Sequence, residues 1–248
     1  MNMKRFLSID WDFFIDATAD QRAFLFPDGG NENFPTSLRE YIWDSRYRVP
    51  ELSKIGVSPE YKHLLKMARD FEGDCVIADS HRFAYDFIMQ ETEPDEEFEV
   101  YNIDFHHDLY NYKTGDERVN CGNWGTILRE DRPNMRFVWV KCPDSDINTI
   151  GDCPVDCDTL DYDQFKFRFK KGISKSFEYL YLCRSAMWSP PHLDDKFIRI
   201  VKILMRQCYT KYEMGIDLPR PYEIPTDFSE YLAMTDKSSY KESWIANE

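Results

Sequence analysis

The sequence predicts a three-layer α/β fold around a mostly parallel central sheet, and three observations carry that expectation. Short apolar runs alternate with helix-like segments along the chain, as a sheet built from β-α-β units requires. Several of those runs end in acids or histidines, and open α/β sheets keep their sites at strand carboxyl ends. The 248 residues are 42% hydrophobic and 16% aromatic, enough to bury one substantial core. A single domain over 1–248 follows, with 226–248 as a C-terminal arm.

The first run, Arg5–Ile9 (RFLSI), reads as a strand that delivers Asp10 and Asp12. Side chains alternate along a strand, so both acids share one face and Trp11 and Phe13 the other. A ligand pair is the preferred reading, and a turn cap at Asp10 the competing one. Residues 17–35 are rich in Pro, Gly, Asn and Asp and read as an irregular loop. Thr36–Asp44 is expected as a short helix. Over Ser58–Phe71 a longer helix is expected, with Ser58 as N-cap, Pro59 at its first position and Gly73 past its end. Tyr61, Leu64, Leu65 and Ala68 form its apolar face, which leaves His63 on the surface.

Asp74–Ala78 is the next buried strand and runs into Asp79-Ser80-His81, followed by a helix over Phe83–Gln90. His81 at this junction is either a ligand held by two rigid elements or a helix-start histidine with a structural hydrogen bond. After the acidic connection Glu91–Glu99 comes the central stretch, Glu99–Tyr112 (EVYNIDFHHDLYNY). Val100, Tyr101 and Ile103 form a buried strand, and alternation sends Asp104, His106 and Asp108 to one side and His107 to the other. Two asparagines and two glycines surround Trp124 in Asn120–Gly125, a pattern for backbone close to a ligand or for a tight helix start. A helix begins at Trp124. Arg136–Lys141 is a strand, 142–163 a long excursion, and Phe177–Cys183 another strand. Arg184, Ser185 and His192 flank the rim of that last strand. A long helix is expected from Pro191 to Gly215.

Composition narrows the function classes. A formal net charge of −14 disfavours non-specific nucleic-acid binding and draws cations by its long-range field. The seven cysteines have no regular spacing, so no secreted disulfide framework is expected. Cys142, Cys153 and Cys157 contain no C-x-x-C, which argues against a second metal site there. No signal peptide and no apolar run long enough for a membrane span are visible, so the expected location is the cytoplasm, with no membrane partner.

Six ligand-type side chains thus end neighbouring strands: Asp10, Asp12, His81, Asp104, His106 and Asp108. Four carboxylates and two imidazoles exceed the needs of one ion and suit two divalent ions, with Mn(II) or Fe(II) favoured over thiolate-bound zinc. Paired ions lower the pKa of a shared water, which points to hydrolysis of a planar carbon or a phosphoryl centre.

The Asp104-Phe105-His106-His107-Asp108 segment resembles the D-A-H-x-D motif of arginases and other ureohydrolases. Ser8-Ile9-Asp10-Trp11-Asp12 resembles the first half of their S-x-D-x-D-x-x-D-P motif, and Asp79-Ser80-His81 their G-G-D-H-S segment. Here the S-x-D-x-D segment opens the chain instead of following the other two, and the final Asp-Pro is replaced by Phe13-Phe14-Ile15-Asp16. The rearranged, shortened pattern looks most like the peptide arginases of ribosomal-peptide biosynthesis and the related UPF0489 proteins. That resemblance covers three short windows. It implies two Mn(II) ions and an arginine-containing precursor peptide whose side chains become ornithine with release of urea.

Carried over by position, one ion is held by His81, Asp104, Asp108 and Asp10. The other is held by His106, Asp104, Asp10 and Asp12. Asp108 orients the nucleophile and relays a proton to the leaving amine, with His107 a less favoured donor. Trp124 stands where arginases carry a proton-shuttling histidine and is a candidate to stack on the guanidinium. Asn123, beside it, is a further substrate-side candidate. For the carboxylate that grips the cation, Asp16 and Asp146 are candidates. Two other readings remain open: a single-zinc deacetylase-like amidohydrolase, and a non-catalytic metal- or peptide-binding module.

Overall fold

The computed structural model describes residues 3–27, 36–111, 118–145, 150–208 and 211–214, with the side chains of 36–38 and 211–214 left aside. Among these residues the chain forms β1 (Lys4–Asp10), β2 (Ile15–Asp16), α1 (Ala19–Leu25), α2 (Thr36–Arg46), β3 (Gly56–Val57), α3 (Tyr61–Asp70), β4 (Asp74–Ala78) and α4 (Phe83–Glu91). There follow β5 (Phe98–Asp104), α5 (Trp124–Asp131), β6 (Met135–Lys141), β7 (Asp158–Asp161), α6 (Tyr162–Arg168), β8 (Tyr179–Cys183), α7 (Asp194–Gln207) and β9 (Lys211–Met214).

Seven strands make one sheet in the order β7-β6-β5-β1-β8-β4-β9, and every neighbouring pair is parallel. Helices flank the sheet on both faces, giving the three-layer α/β/α architecture. Burial on both faces explains why the inner strands read as continuous apolar runs instead of alternating ones. All seven residues of β5 are buried. α3 packs on α7, and α4 packs on α5. The core beneath α6 is aromatic: Tyr101, Phe165, Phe169 and Phe177 meet with ring centroids 4.7–6.3 Å apart.

Several boundaries differ from the sequence expectations. The 17–35 stretch contains helix α1, opened by a reciprocal capping box between Thr18 and Gln21. Helix α3 begins at Tyr61 with Glu60 as its N-cap, so Ser58 and Pro59 lie in the preceding turn, where the Ser58 carbonyl accepts the Tyr61 N–H and its hydroxyl makes no hydrogen bond. The 142–163 excursion ends in β7 and the start of α6. The helix expected over 191–215 is a 3₁₀ turn (Pro191–Leu193) followed by α7, which stops at Gln207. The chain then adds β9 beside β4. The proposed arm, 226–248, lies outside the described residues, as does Asp146.

Candidate metal centre

β1 is central, between β5 and β8, and β4 lies beyond β8, so the carboxyl ends of these four strands share one rim. Asp10 ends β1. Its Oδ1 accepts the Asp12 backbone N–H at 2.9 Å, which starts a 3₁₀ turn over Trp11–Phe14. Asp12 therefore reaches the rim from a turn and not from a continuing strand. Its Oδ1 accepts the Phe105 N–H at 3.4 Å, tying the turn to the loop after β5. Arg22, buried in α1, braces the turn by donating to the carbonyls of Asp12, Ile15 and Ala17.

β5 stops at Asp104, so His106 and Asp108 belong to the following loop. Asp104 Oδ1 accepts the His106 N–H at 2.8 Å. Asp108 sits at φ 55°, a left-handed conformation unusual for a residue with a side chain and common where function fixes the backbone. The strand alternation expected for Asp104, His106 and Asp108 does not operate here. Instead the loop sends His106 toward Asp12 and Asp108 toward His81.

The resulting distances define a compact cluster. His81 Nδ1 lies 3.3 Å from Asp10 Oδ2, 3.2 Å from Asp104 Oδ2 and 3.0 Å from Asp108 Oδ2. His106 Nδ1 lies 3.5 Å from Asp12 Oδ2. Donor atoms of His81, Asp104 and Asp108 fall within 4.8 Å of one another, and so do those of Asp12, Asp104 and His106. Asp104 belongs to both sets. The four aspartates and His81 are at most 4% exposed, whereas the His106 side chain is 26% exposed and marks the open side of the cluster.

Neither His81 Nδ1 nor Asp12 Oδ2 makes a hydrogen bond, although both atoms are buried. Such orphaned atoms cost free energy unless something else satisfies them. Their partners converge as ligands do around a common centre, so the donors present fit a divalent cation. Oxygen donors with one imidazole per set suit Mn, Fe or Zn. The cluster can hold a metal ion.

Outer contacts aim each donor. Ser8 Oγ lies 2.6 Å from His81 Nε2, which turns Nδ1 toward the acids. The His81 ring is held between Tyr181, parallel at 5.6 Å, and Trp124 at 5.1 Å. Ser185, at φ 50°, donates its hydroxyl to Asp10 Oδ2. Asn102 Nδ2 donates to Asp104 Oδ2 at 3.2 Å, and Trp124 Nε1 to Asp108 Oδ2 at 2.6 Å. Asp79 is not part of the cluster. It takes a bidentate pair from Arg184 at 2.6 and 2.8 Å and a third bond from Arg39, locking the loops after β4 and β8 together.

The crowding of acids shows in their protonation. Burial, then the charges of Asp12 and Asp104, push Asp10 up to about 7. Burial, then Asp108, push Asp104 up to about 8. Burial acts against the charge on His106, but Asp12, Asp104 and Asp108 outweigh it and raise the imidazole to about 9. His81 is likewise raised well above its ordinary value by the acids around it, against its burial. Asp12 is held below the usual range because His106 and Arg22 overcome its burial. Protons and imidazolium thus hold together a set of charges that a divalent cation would hold better.

Several sequence candidates fall elsewhere. Trp124 has no exposed surface and donates to Asp108, so it holds that carboxylate in place and offers no face to a substrate. Asn123 is buried and closes the 118–123 loop, accepting from Asn120 N–H at 2.7 Å and donating to Arg118 O at 3.0 Å. His107 accepts the Leu109 N–H on Nδ1, and its ring packs on Tyr110 and Trp139. Burial and the nearby His106 charge hold it down at about 4, so it carries no proton to give as an imidazolium at neutral pH. Asp16 is an exposed residue of β2, and its partner there is Gly56 of β3. Arg184 is consumed by Asp79 and Asp194, and His192 by Tyr47 and the Ile55 carbonyl. His63 meets the Tyr162 hydroxyl at 2.8 Å.

Two residues of the rim carried no sequence signal for their place. Cys183 ends β8 in register with Asp10, and half-buried Trp188 sits 6.0 Å from the His106 ring at the open side. Among the described residues no helix is long and apolar enough to cross a membrane. Comparison of the chain with protein-family models, with curated proteins and with solved structures gives no match.

Proposed function

We propose that this chain is a two-metal hydrolase of guanidino groups, converting arginine side chains of a peptide to ornithine and urea with two Mn(II) ions. The observation that carries the reading is the sharing of Asp104 between two donor sets, one buried and one open at His106, each with one imidazole. The resemblance of the three ligand segments to ureohydrolase motifs supplies the substrate class. His81, Asp10, Asp104 and Asp108 would hold one ion, and His106, Asp12, Asp104 and Asp10 the other. Bound there, divalent ions lower the pKa of a shared water and offset charge on the attacked centre.

The chain's own residues supply the rest. The net charge of −14 draws a cationic side chain toward the rim. His106 and Trp188 form the open side, where the face of Trp188 suits a planar cation. Asp108, fixed by Trp124, takes a proton from the attacking water and returns it to the leaving nitrogen. The guanidinium carbon gains an oxygen and loses its bond to the side-chain nitrogen. One water is consumed, and ornithine leaves as the ammonium beside neutral urea.

The test is incubation of Mn(II)-loaded protein with arginine-containing peptides and with free arginine, read by urea release and peptide mass. Urea is expected from peptides, together with a mass loss equal to cyanamide. Asp104→Asn is expected to abolish the product and to lower bound Mn below two per chain. Full Mn loading without product from any arginine substrate, or two Mn per chain in Asp104→Asn, would sink the proposal. A content of one Zn per chain would favour the deacetylase-like reading instead.

A further inference from the structure

Cys183 is a buried thiol that borders the cluster. It lies at the carboxyl end of β8, in register with Asp10 on one side and Ala78 on the other. Registered residues of adjacent parallel strands point to the same face of the sheet, so its sulfur falls beneath the rim where the ligands gather. Cys183 Sγ, an Asp10 carboxylate oxygen and a His81 ring nitrogen all lie within 4.8 Å of one another, and all three residues are buried. The Ser185 hydroxyl bridges two of them, donating to Asp10 Oδ2 and lying 3.2 Å from Cys183 Sγ. With the Ser185 proton given to Asp10, the thiol is the donor in the second contact. Independently of the thiol, His81 is 1% exposed, and its Nδ1 makes no hydrogen bond and faces Asp10 Oδ2, the oxygen Ser185 bonds, at 3.3 Å.

We propose that Asp10, His81 and Cys183 form a second, softer coordination set at the His81 end of the centre, one that captures a thiophilic divalent cation such as Zn(II) or Cd(II). The inference rests on the reading that Asp10 and His81 face a metal position, and it adds a sulfur donor that the oxygen-rich arrangement does not use. Hard ions such as Mn(II) take the carboxylates of Asp104 and Asp108. A thiophilic ion gains more from thiolate than from a third carboxylate and is drawn toward β8. The thiol proton is released to solvent on binding, and the Ser185 hydroxyl rotates away from the sulfur. His81 belongs to this set and to the set with Asp104 and Asp108, so a soft ion and Mn(II) compete for the same imidazole. Thiophilic ions therefore act as inhibitors of the Mn(II) form and not as substitutes for it.

Metal-free protein is titrated with Cd(II), and the ultraviolet thiolate-to-cadmium charge-transfer band is followed. Mn(II) binding is measured separately by electron paramagnetic resonance. The Cys153→Ser/Cys157→Ser double variant serves as parent, because those two cysteines are half-buried and adjacent in the 150–157 segment. One band of single-thiolate intensity is expected in this parent, lost on adding Cys183→Ser, with Mn(II) binding kept in both. Zn K-edge absorption of the parent loaded with one equivalent of Zn(II) provides a readout that needs no change at Cys183, and one sulfur scatterer is expected. A charge-transfer band that survives Cys183→Ser, or a zinc spectrum with only nitrogen and oxygen neighbours, overturns the inference. Mn(II) binding without any cadmium band overturns this inference alone. Binding of neither ion overturns it together with the two-metal reading.

Discussion

At the scale of single residues, Trp124 shows how much of the centre depends on contacts that chain order hides. Its indole N–H is the hydrogen-bond donor to Asp108 Oδ2, and the ring covers His81 on one side and meets Phe137 at 5.5 Å. A donor to a buried carboxylate contributes about 1.5–3 kcal/mol, and losing a residue that aims a metal ligand commonly costs about 10–100-fold in affinity. Trp124→Phe keeps the aromatic packing and removes only the N–H. It should therefore fold, with Mn(II) affinity lower by about 10–100-fold, measured by calorimetry. Unchanged affinity would mean that Asp108 does not bind the ion. The six clustered residues were legible in the sequence as acids and histidines that follow apolar runs, but the strand alternation expected to bring them together was not the device, since Asp12, His106 and Asp108 reach the rim from turns. Trp124 was legible only as an aromatic beside glycines, since nothing local says that its nitrogen meets a carboxylate sixteen positions earlier.

At the scale of elements, the five inner strands of the sheet were readable, and its edge strands and several turns were not. β1, β4, β5, β6 and β8 are long apolar runs whose burial on both faces leaves an unmistakable pattern. α1 was hidden because the Pro- and Gly-rich residues that follow it dominate the local composition, although Thr18 and Gln21 carry a capping box. β7 is exposed, acidic and four residues long, and β9 follows directly on a strongly amphipathic helix, so neither announces itself as sheet. The segment 120–125 is the tight helix start, and it clamps the Asp108 turn. Asn120 Oδ1 accepts the N–H groups of Gly122 and Asn123, Gly122 O accepts from Tyr110, and Gly125 N–H donates to Asp108 O at 3.1 Å.

A Cβ on Gly125 would sit 2.9 Å from Leu109 Cδ2, 3.0 Å from Asp108 O and 3.0 Å from Phe137 Cε2. Alanine would add up to about 1 kcal/mol of helix propensity, but overpacking against a fixed backbone oxygen costs about 1–3 kcal/mol. The second effect wins, because the carbonyl of Asp108 cannot give way without moving the ligand. Gly125→Ala should lower stability in chemical denaturation and weaken Mn(II) binding together. A stable variant with normal metal affinity would show that the clamp does not position Asp108.

For the molecule as a whole, the decisive quantity is the charge enclosed at the rim. Without a cation, Asp10 and Asp104 hold protons up to about 7 and about 8, far above the ordinary 3.8, and His106 stays charged to about 9. All of these are raised above their unfolded values, so each keeps in the folded chain a proton that it has already lost in the unfolded one over the interval between the two values. Stability contributed in this way is fully present at low pH and is lost as pH climbs through the folded values. Buried Asp194, raised to about 7 by burial despite Arg184, acts in the same direction. Asp12, held low, acts oppositely, but only as pH falls below its ordinary range, and His107, His63 and His192, held below 6.5 chiefly by burial, act oppositely as pH falls below that value.

Above the ordinary histidine range the raised groups dominate, so the metal-free protein should melt at progressively lower temperature from pH 7 to pH 9. A divalent ion competes with those same protons, so the rise in melting temperature on adding Mn(II) should grow over the same interval. At an ion concentration about 100 times the dissociation constant the gain is about 2.7 kcal/mol. Differential scanning calorimetry at fixed ionic strength, with chelator and with Mn(II), measures both slopes. A metal-free melting temperature that is flat or rises with pH would mean that the acids and imidazoles are not packed around a common centre. A metal-induced shift that shrinks as pH rises would mean that the ion binds somewhere other than among them.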